Sequence, residues 1–242
     1  MDTPRPKLLL LPGLEGSGDL FSGLIEELGP LFDTRVVRYP NSCRTYEAVA
    51  GVVRKEFTGS SPFVMVAESF STPISVQLAG DAQHGIEGLV LCNGFVSNPL
   101  STLESLWASA AAPWLFRFPL TSIAARTFLV GPDAPDQLVA DVRHAVGPVP
   151  PDVLCARLRA VLGCDVRDAL RRIRVPVLCL QSGRDRLIGE RASREILRIK
   201  PDIAMERIDG PHLLLQREPR ECAEIIGRFV DRVVSQRSAT DD

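Results

Sequence analysis

Short runs of Val, Leu and Ile alternate along the chain with longer stretches in which apolar side chains recur at helical spacing. The runs at Lys7–Leu11, Thr34–Arg38, Phe63–Ala67, Leu89–Cys92, Val177–Gln181 and Met205–Ile208 predict strands. Helices are predicted at Leu20–Leu28, Thr45–Phe57, Thr72–Gln83, Arg191–Ile199 and Glu218–Gln236. Each strand is short and rich in Val, Leu or Ile, as expected when both faces of a sheet are covered. Strand and helix in turn therefore predict an α/β fold, with a mainly parallel sheet of about six strands and helices on both faces.

One interval breaks the rhythm. More than eighty residues separate the strand ending at Cys92 from the strand starting at Val177, and none of them reads clearly as a strand. Prolines at positions 113, 119, 132, 135, 148, 150 and 151 are expected to cut this stretch into short helices. The division expected is a core of residues 1–97 and 170–242 with a helical cap inserted at 98–169. Leu106, Trp107, Trp114, Leu115, Phe116, Phe118, Phe128 and Leu129 give that cap many large apolar side chains. Part of them should pack the cap onto the sheet, and part should line an acyl pocket, with Trp107 and Trp114 as the substrate-contacting candidates. Residues 235–242 are small and polar and read as a frayed tail.

Composition narrows the function classes. With 28 basic and 30 acidic side chains the net charge is −2, which argues against a nucleic-acid partner. The apolar run Leu8–Leu11 is too short for a membrane span or a signal-peptide core, so a cytoplasmic location is the default expectation. The six cysteines, Cys43, Cys92, Cys155, Cys164, Cys179 and Cys222, form no Cys-x-x-Cys pair and accompany no histidine cluster. They read as small buried hydrophobes, and no metal or organic cofactor is implied. The oligomeric state is left open.

The chemistry gathers at four places. Phe63–Ala67 is followed by Glu68-Ser69-Phe70-Ser71 and a helical stretch from Thr72, which sets Ser69 on a strand-to-helix turn. Such a turn lifts a hydroxyl above the sheet near the positive end of the next helix. The common elbow is G-x-S-x-G, and here Ala67 and Ser71 replace its glycines. Leu11-Pro12-Gly13-Leu14-Glu15-Gly16-Ser17-Gly18 is a glycine-rich turn placed to face that serine with a backbone N–H, the second donor being the N–H of Phe70. It matches neither G-x-x-x-x-G-K-[ST] nor G-x-G-x-x-G, which disfavours the rival reading as a phosphate loop.

Of the three histidines, His84 reads as a helix C-terminal residue, His144 falls inside the cap, and His212 sits in the loop before the last helix. That makes His212 the base candidate. Asp185, in the loop after the strand at 177–181, is the acid candidate that would orient it. Asp209 lies too close in sequence to reach behind the histidine, and the loop after the preceding strand offers Asn93 and no carboxylate.

Together Pro12–Gly18, Glu68–Ser71, Ser182–Asp185 and the segment from Pro211-His212 to Glu218-Pro219 resemble the α/β-hydrolases, in particular small bacterial esterase-like members. The resemblance covers residues 7–95 and 173–236. It implies a Ser69–Asp185–His212 triad, an oxyanion hole from the backbone of Leu14 and Phe70, and substrate passing over Gly13. The activity it implies is hydrolysis of a small-molecule acyl ester through an acyl-enzyme. A thioesterase, another acyl-transfer enzyme and a non-catalytic small-molecule binder are the alternative functions. Pro12 replaces the histidine common before the glycine, and the antiparallel hairpin that often precedes the first parallel strand is missing, which predicts a trimmed sheet.

Overall fold

The computed structural model describes residues 5–56, 62–82 and 85–238, with backbone alone at 102, 103, 113, 115 and 238. Phe57, Gln83 and His84 therefore lie outside the described residues, as does the side chain of Leu115. Six strands make one parallel sheet: β1 (Lys7–Leu11), β2 (Asp33–Val36), β3 (Phe63–Glu68), β4 (Ile86–Cys92), β5 (Val177–Ser182) and β6 (Ala204–Ile208). Their order is β2-β1-β3-β4-β5-β6, and among the described residues no antiparallel strand adds to the sheet. The chain runs outward from β1 to β2, then returns to the other side of β1 to lay down β3. Loops leaving β1 and β3 thus diverge at the carboxyl edge, where open α/β sheets form their crevice.

The helices follow from the same pattern. They are α1 (Ser22–Leu28), α2 (Tyr46–Lys55), α3 (Thr72–Gly80), α4 (Thr102–Leu115), α5 (Ser122–Ala124), α6 (Asp136–Val146), α7 (Pro151–Leu162), α8 (Arg167–Arg172), α9 (Glu190–Ile199), α10 (Leu214–Arg217) and α11 (Pro219–Ser238). Successive strand residues feed opposite cores. Leu9, Leu11, Met65, Ala67, Leu89 and Leu91 meet Val49, Ile74 and Ile196 on one face. Leu8, Leu10, Val64, Val66, Val90 and Leu178 meet Leu24, Ile226 and Phe229 on the other. Period-two burial on both sides is why these strands carry no polar alternation. The outermost strands β2 and β6 are short and carry Asp33, Arg35, Glu206 and Arg207, which discourages edge-to-edge pairing.

Three expectations need correction. The tail expected from Ser235 is helical to Ser238, where α11 ends, and residues 239–242 lie outside the described residues. The second strand stops at Val36 and not at Arg38: the N–H of Val37 still donates to Leu10 of β1, but that of Tyr39 turns to the carbonyl of Gly16 and leads the chain over the loop that follows β1. Pro113 does not cut a helix, since α4 continues through it to Leu115. In the last turn a proline removes one i→i−4 bond, a small loss beside a helix started by a Ser101/Glu104 capping box. Pro135, Pro150 and Pro151 do stand at helix starts, as predicted.

Between β4 and β5 the chain forms α4 to α8 and a π-helical turn, Ala125–Val130. Val130, Val139 and Val142 pack on Leu213, and the N–H of Leu213 donates to the carbonyl of Leu129 at 2.8 Å. Val149, Val153 and Leu154 pack near Leu14. These helices therefore touch the sheet's carboxyl edge at three loops, those after β1 and β2 and the one before α10. Leu106, Trp107, Trp114, Phe118, Ile123 and Phe128 instead face solvent, apolar side chains that the inserted helices do not bury.

Helix α8 returns the chain to β5 by packing on α3 so closely that no side chain fits between them. A Cβ at Gly80 would lie 2.5 Å from the carbonyl oxygen of Ala169. Gly80→Ala is expected to lose about 1–3 kcal/mol, as overpacked sites do. In a domain of this size that lowers Tm by several degrees, each kcal/mol being worth about 2–4 °C. A thermal melt followed by circular dichroism measures it, and an unchanged Tm would refute the close contact.

Candidate active site

Strand β3 is buried along its whole length and ends at Glu68, after which the chain must reverse into α3. Ser69 takes the turn with φ 46°, a left-handed conformation that few non-glycine residues adopt. Its carbonyl accepts from Thr72 Oγ1 at 2.8 Å, and Pro73 opens the helix that follows. Ser71 is buried and does more than fill the place of a glycine. Its hydroxyl donates to the carbonyl of Pro12 and pairs with the Tyr39 hydroxyl at 2.7 Å, so the elbow is tied to the loop after β1.

The three residues predicted to act together lie in one hydrogen-bonded chain. Ser69 Oγ is 3.0 Å from His212 Nε2, and His212 Nδ1 is 2.8 Å from Asp185 Oδ2. The histidine ring and the aspartate side chain are both buried. Asp185 Oδ1 accepts from the N–H groups of Leu187 at 2.7 Å and Ile188 at 2.9 Å, which fixes the carboxylate in its loop. With Asp185 as acceptor, Nδ1 carries the proton and Nε2 presents its lone pair to Ser69. The rival Asp209 points away and pairs with Arg184 at 2.9 Å. His144 stands apart on α6, lining a separate cavity of about 360 Å³ with Asp19, Asp141 and Gln216.

Such a chain above the carboxyl edge of a parallel sheet is one of the features by which a fold family is recognised. A family model described as the alpha/beta hydrolase family matches residues 8–225. The chain belongs to the α/β-hydrolase family. Among curated proteins none matches it in sequence. Solved structures do match in fold. A hydrolase from Oleispira antarctica has TM-score 0.82 at 14% identity, covering 95% of this chain and 92% of that one. A carboxylesterase structure from Nitrososphaera gargenis has TM-score 0.81 at 16% identity, covering 97% and 93%. The enol-lactonase from Burkholderia xenovorans LB400 has TM-score 0.78 at 15% identity, covering 95% and 92%.

The remaining site candidates fall into two groups. Gly13 and Leu14 lie in the loop after β1, with Phe70 opposite them on the elbow and buried. Trp107 and Trp114 are 69% and 68% exposed on α4. The six cysteines are all buried and free, matching their reading as small hydrophobes. Among the described residues no group of three or more His, Cys, Asp or Glu is arranged to hold a metal ion, and no helix is long and apolar enough to cross a membrane.

Asn93 is a site residue the sequence concealed. It occupies the loop after β4, where the only sequence question was whether a carboxylate stood there. It is wholly buried at φ 47°. Its Nδ2 donates to the carbonyl of His212 at 2.5 Å, and its Oδ1 accepts from the N–H of Ser182 at 2.8 Å. One amide thus ties the histidine loop to the strand that delivers Asp185. The left-handed tolerance of Asn after a buried strand is the one signal that could have found it.

Two further carboxyls lie under the elbow of this α/β-hydrolase. Glu68 is buried, with Oε2 receiving Gln216 Nε2 at 3.2 Å and Oε1 making no hydrogen bond among the described residues. Burial first, and then the neighbouring Glu15, push its carboxyl up to about 8. Glu15 is also raised by burial, opposed by the backbone N–H groups of Glu15, Gly18 and Gly16 and by the Arg157 charge. Both carboxyls crowd Gly13, where a Cβ would stand 3.1 Å from Glu15 Oε2 and 3.8 Å from Glu68 Oε2.

The raised Glu68 value has a definite sign for stability. Below 4.5, its ordinary value, the group is protonated in folded and unfolded chains alike; between there and about 8 only the unfolded chain releases the proton. Stability contributed by the neutral carboxyl is therefore lost as pH rises through that window. Glu68→Gln, which cannot ionise, is expected to gain Tm over the native protein, with the gain growing from pH 5 to pH 8. Thermal melts at unit pH steps measure it, and a difference independent of pH would refute the buried neutral carboxyl.

Proposed function

We propose that the protein is a serine hydrolase that cleaves carboxylic esters of short to medium acyl chains through an acyl-enzyme. The observation that carries this reading is the run Ser69 Oγ to His212 Nε2 to Asp185 Oδ2, at 3.0 and 2.8 Å, headed by a serine on a left-handed turn. Ser69 Oγ attacks the ester carbonyl carbon while its proton passes to His212 Nε2. Asp185 keeps the imidazole in the tautomer that can accept it and stabilises the imidazolium formed. The N–H groups of Leu14 and Phe70 receive the charge on the carbonyl oxygen. His212 then returns the proton to the departing alkoxide, leaving an ester on Ser69. Water attacks that ester with His212 as base, and the acid leaves as Ser69 regains its proton.

Esters are favoured because two structural relatives are by name a carboxylesterase and an enol-lactonase. The acyl preference rests on the inserted helices. Trp107 and Trp114 lie seven residues apart on one side of α4, and their exposure offers apolar surface to an incoming chain. Gly13, which has no side chain, lets the loop after β1 lie against the buried Glu15 and Glu68 carboxyls beside Ser69.

Ser69→Ala is expected to lower kcat roughly 10⁴–10⁶-fold and to abolish labelling by a fluorophosphonate. Asp185→Asn should cost about 10²–10⁴-fold, while Asp209→Asn stays near native. Activity retained in Ser69→Ala, or lost in Asp209→Asn alone, would reverse these assignments. A series of p-nitrophenyl esters from acetate to palmitate tests the acyl side. Each buried methylene is worth about 0.8 kcal/mol, so kcat/KM should rise roughly fourfold per carbon until the pocket is full, and less steeply in Trp107→Ala and Trp114→Ala. A flat profile, the same in all three proteins, would remove the cap from substrate selection, and faster turnover of an acyl-CoA than of any oxygen ester would assign a thioesterase.

A further inference from the structure

Arg157 projects from α7 and is wholly buried, yet no carboxylate lies within ion-pairing distance of it among the described residues. A guanidinium has five N–H donors. Here five hydrogen bonds run to backbone carbonyls. Nη1 donates to Leu14 and Glu15, both at 2.9 Å; Nη2 donates to Tyr39 at 3.4 Å and Pro40 at 3.2 Å; Nε donates to Cys43 at 3.1 Å. The carbonyls belong to two core loops, one after β1 and one after β2. A buried charge spread over neutral acceptors is costly to keep unless every donor is used.

The loop held in this way is the one that carries the Leu14 N–H. Its carbonyl at Pro12 is taken by Ser71, and those of Leu14 and Glu15 by Arg157. The Glu15 carboxylate faces the N–H groups of Glu15, Gly16 and Gly18. Gly16, at φ 74°, lets the backbone lie against the guanidinium, since a Cβ there would fall 2.7 Å from Arg157 Nη1. With Gly13's carbonyl accepting from the N–H of Gly16 at 3.2 Å, the four successive carbonyls from Pro12 to Glu15 are all engaged by neighbours, which fixes the peptide planes on both sides of Leu14.

We propose that Arg157 is a positioning residue for the oxyanion hole: from the inserted helices it clamps the Leu14–Glu15 backbone and so aims the Leu14 N–H at the oxygen of the reacting carbonyl. This rests on the reading of Ser69 as nucleophile. The clamp also makes α7 a fixed part of the site, so any rearrangement of that helix on the core is felt as a change in transition-state stabilisation. Planarity matters as much as charge. A lysine keeps the charge but offers three donors from a single point, which cannot reach carbonyls of both loops.

The test uses the full chain. With p-nitrophenyl butyrate, Arg157→Lys is expected to lower kcat about 10²–10³-fold, the loss seen when one oxyanion donor is removed, with KM within about twofold of native. Affinity for a trifluoromethyl ketone, which forms a tetrahedral adduct on Ser69, should fall in parallel. Amide hydrogen exchange over residues 12–18 should quicken. Gly16→Ala, which pushes the guanidinium off the loop without removing it, is expected to move all three readings in the same direction and serves if the lysine variant does not fold. A folded variant with native kcat and native exchange, or a loss confined to KM, would overturn the proposal. The underlying reading fails differently: native protein that turns over no ester and takes no fluorophosphonate label overturns both.

Discussion

The sharp reversal at Ser69 is the constraint around which the site is assembled. A non-glycine residue in the left-handed region costs about 1–3 kcal/mol and persists only where its surroundings over-determine it. Here the surroundings are β3, buried along its length, and a helix locked at its start by Thr72, whose Oγ1 also receives the N–H of Phe95 at 3.2 Å. Gly94 lets that neighbouring loop approach, since a Cβ there would stand 3.2 Å from Thr72 Cγ2. Asn93 takes a second left-handed turn one strand over, and its amide spans from Ser182 to His212. Two strained residues at the ends of adjacent strands therefore define where the serine and the histidine meet.

Solvation decides the state of the buried carboxyl beneath the elbow. Asp185 accepts from two N–H groups and an imidazole. Glu68 has one side-chain amide on one oxygen and, among the described residues, no hydrogen bond on the other, with a second carboxyl close by. Those partners do not replace the water an anion would lose, which pushes the Glu68 carboxyl up. Its neutral form keeps a negative charge from beneath Gly13.

Those features written in short stretches of chain were legible before the fold was known. Each central strand is a local apolar run, and the loops of Ser69, Asp185 and His212 could be placed because each follows such a run. Contacts across long sequence separations were not legible. Nothing around Arg157 distinguishes it from the surface arginines of a helix, because its five acceptors are peptide carbonyls 114 to 143 residues away. Ser71 read as a small substitute for glycine, although its hydroxyl bridges Tyr39 and Pro12. The end of β2 was misplaced for the same reason: Tyr39 fits a strand locally, but its N–H is drawn away by Gly16. Local hydrophobicity also could not say that Leu106, Trp107 and Phe118 would face water.

The long excursion between β4 and β5 has a consequence for how this architecture diversifies. Leu89 pairs with Val177 in the sheet, so the whole insertion is a loop closed by two neighbouring strands. The entropy of closing a loop grows only with the logarithm of its length, about 0.6 kcal/mol for each doubling. Lengthening or trimming the excursion therefore leaves the sheet almost indifferent. What a changed insertion must reproduce is its landing points on the core, the guanidinium on the loops after β1 and β2, the Leu129 carbonyl on Leu213 and the packing of α8 on α3. Evolution is free with the span of the bridge and bound only at its abutments.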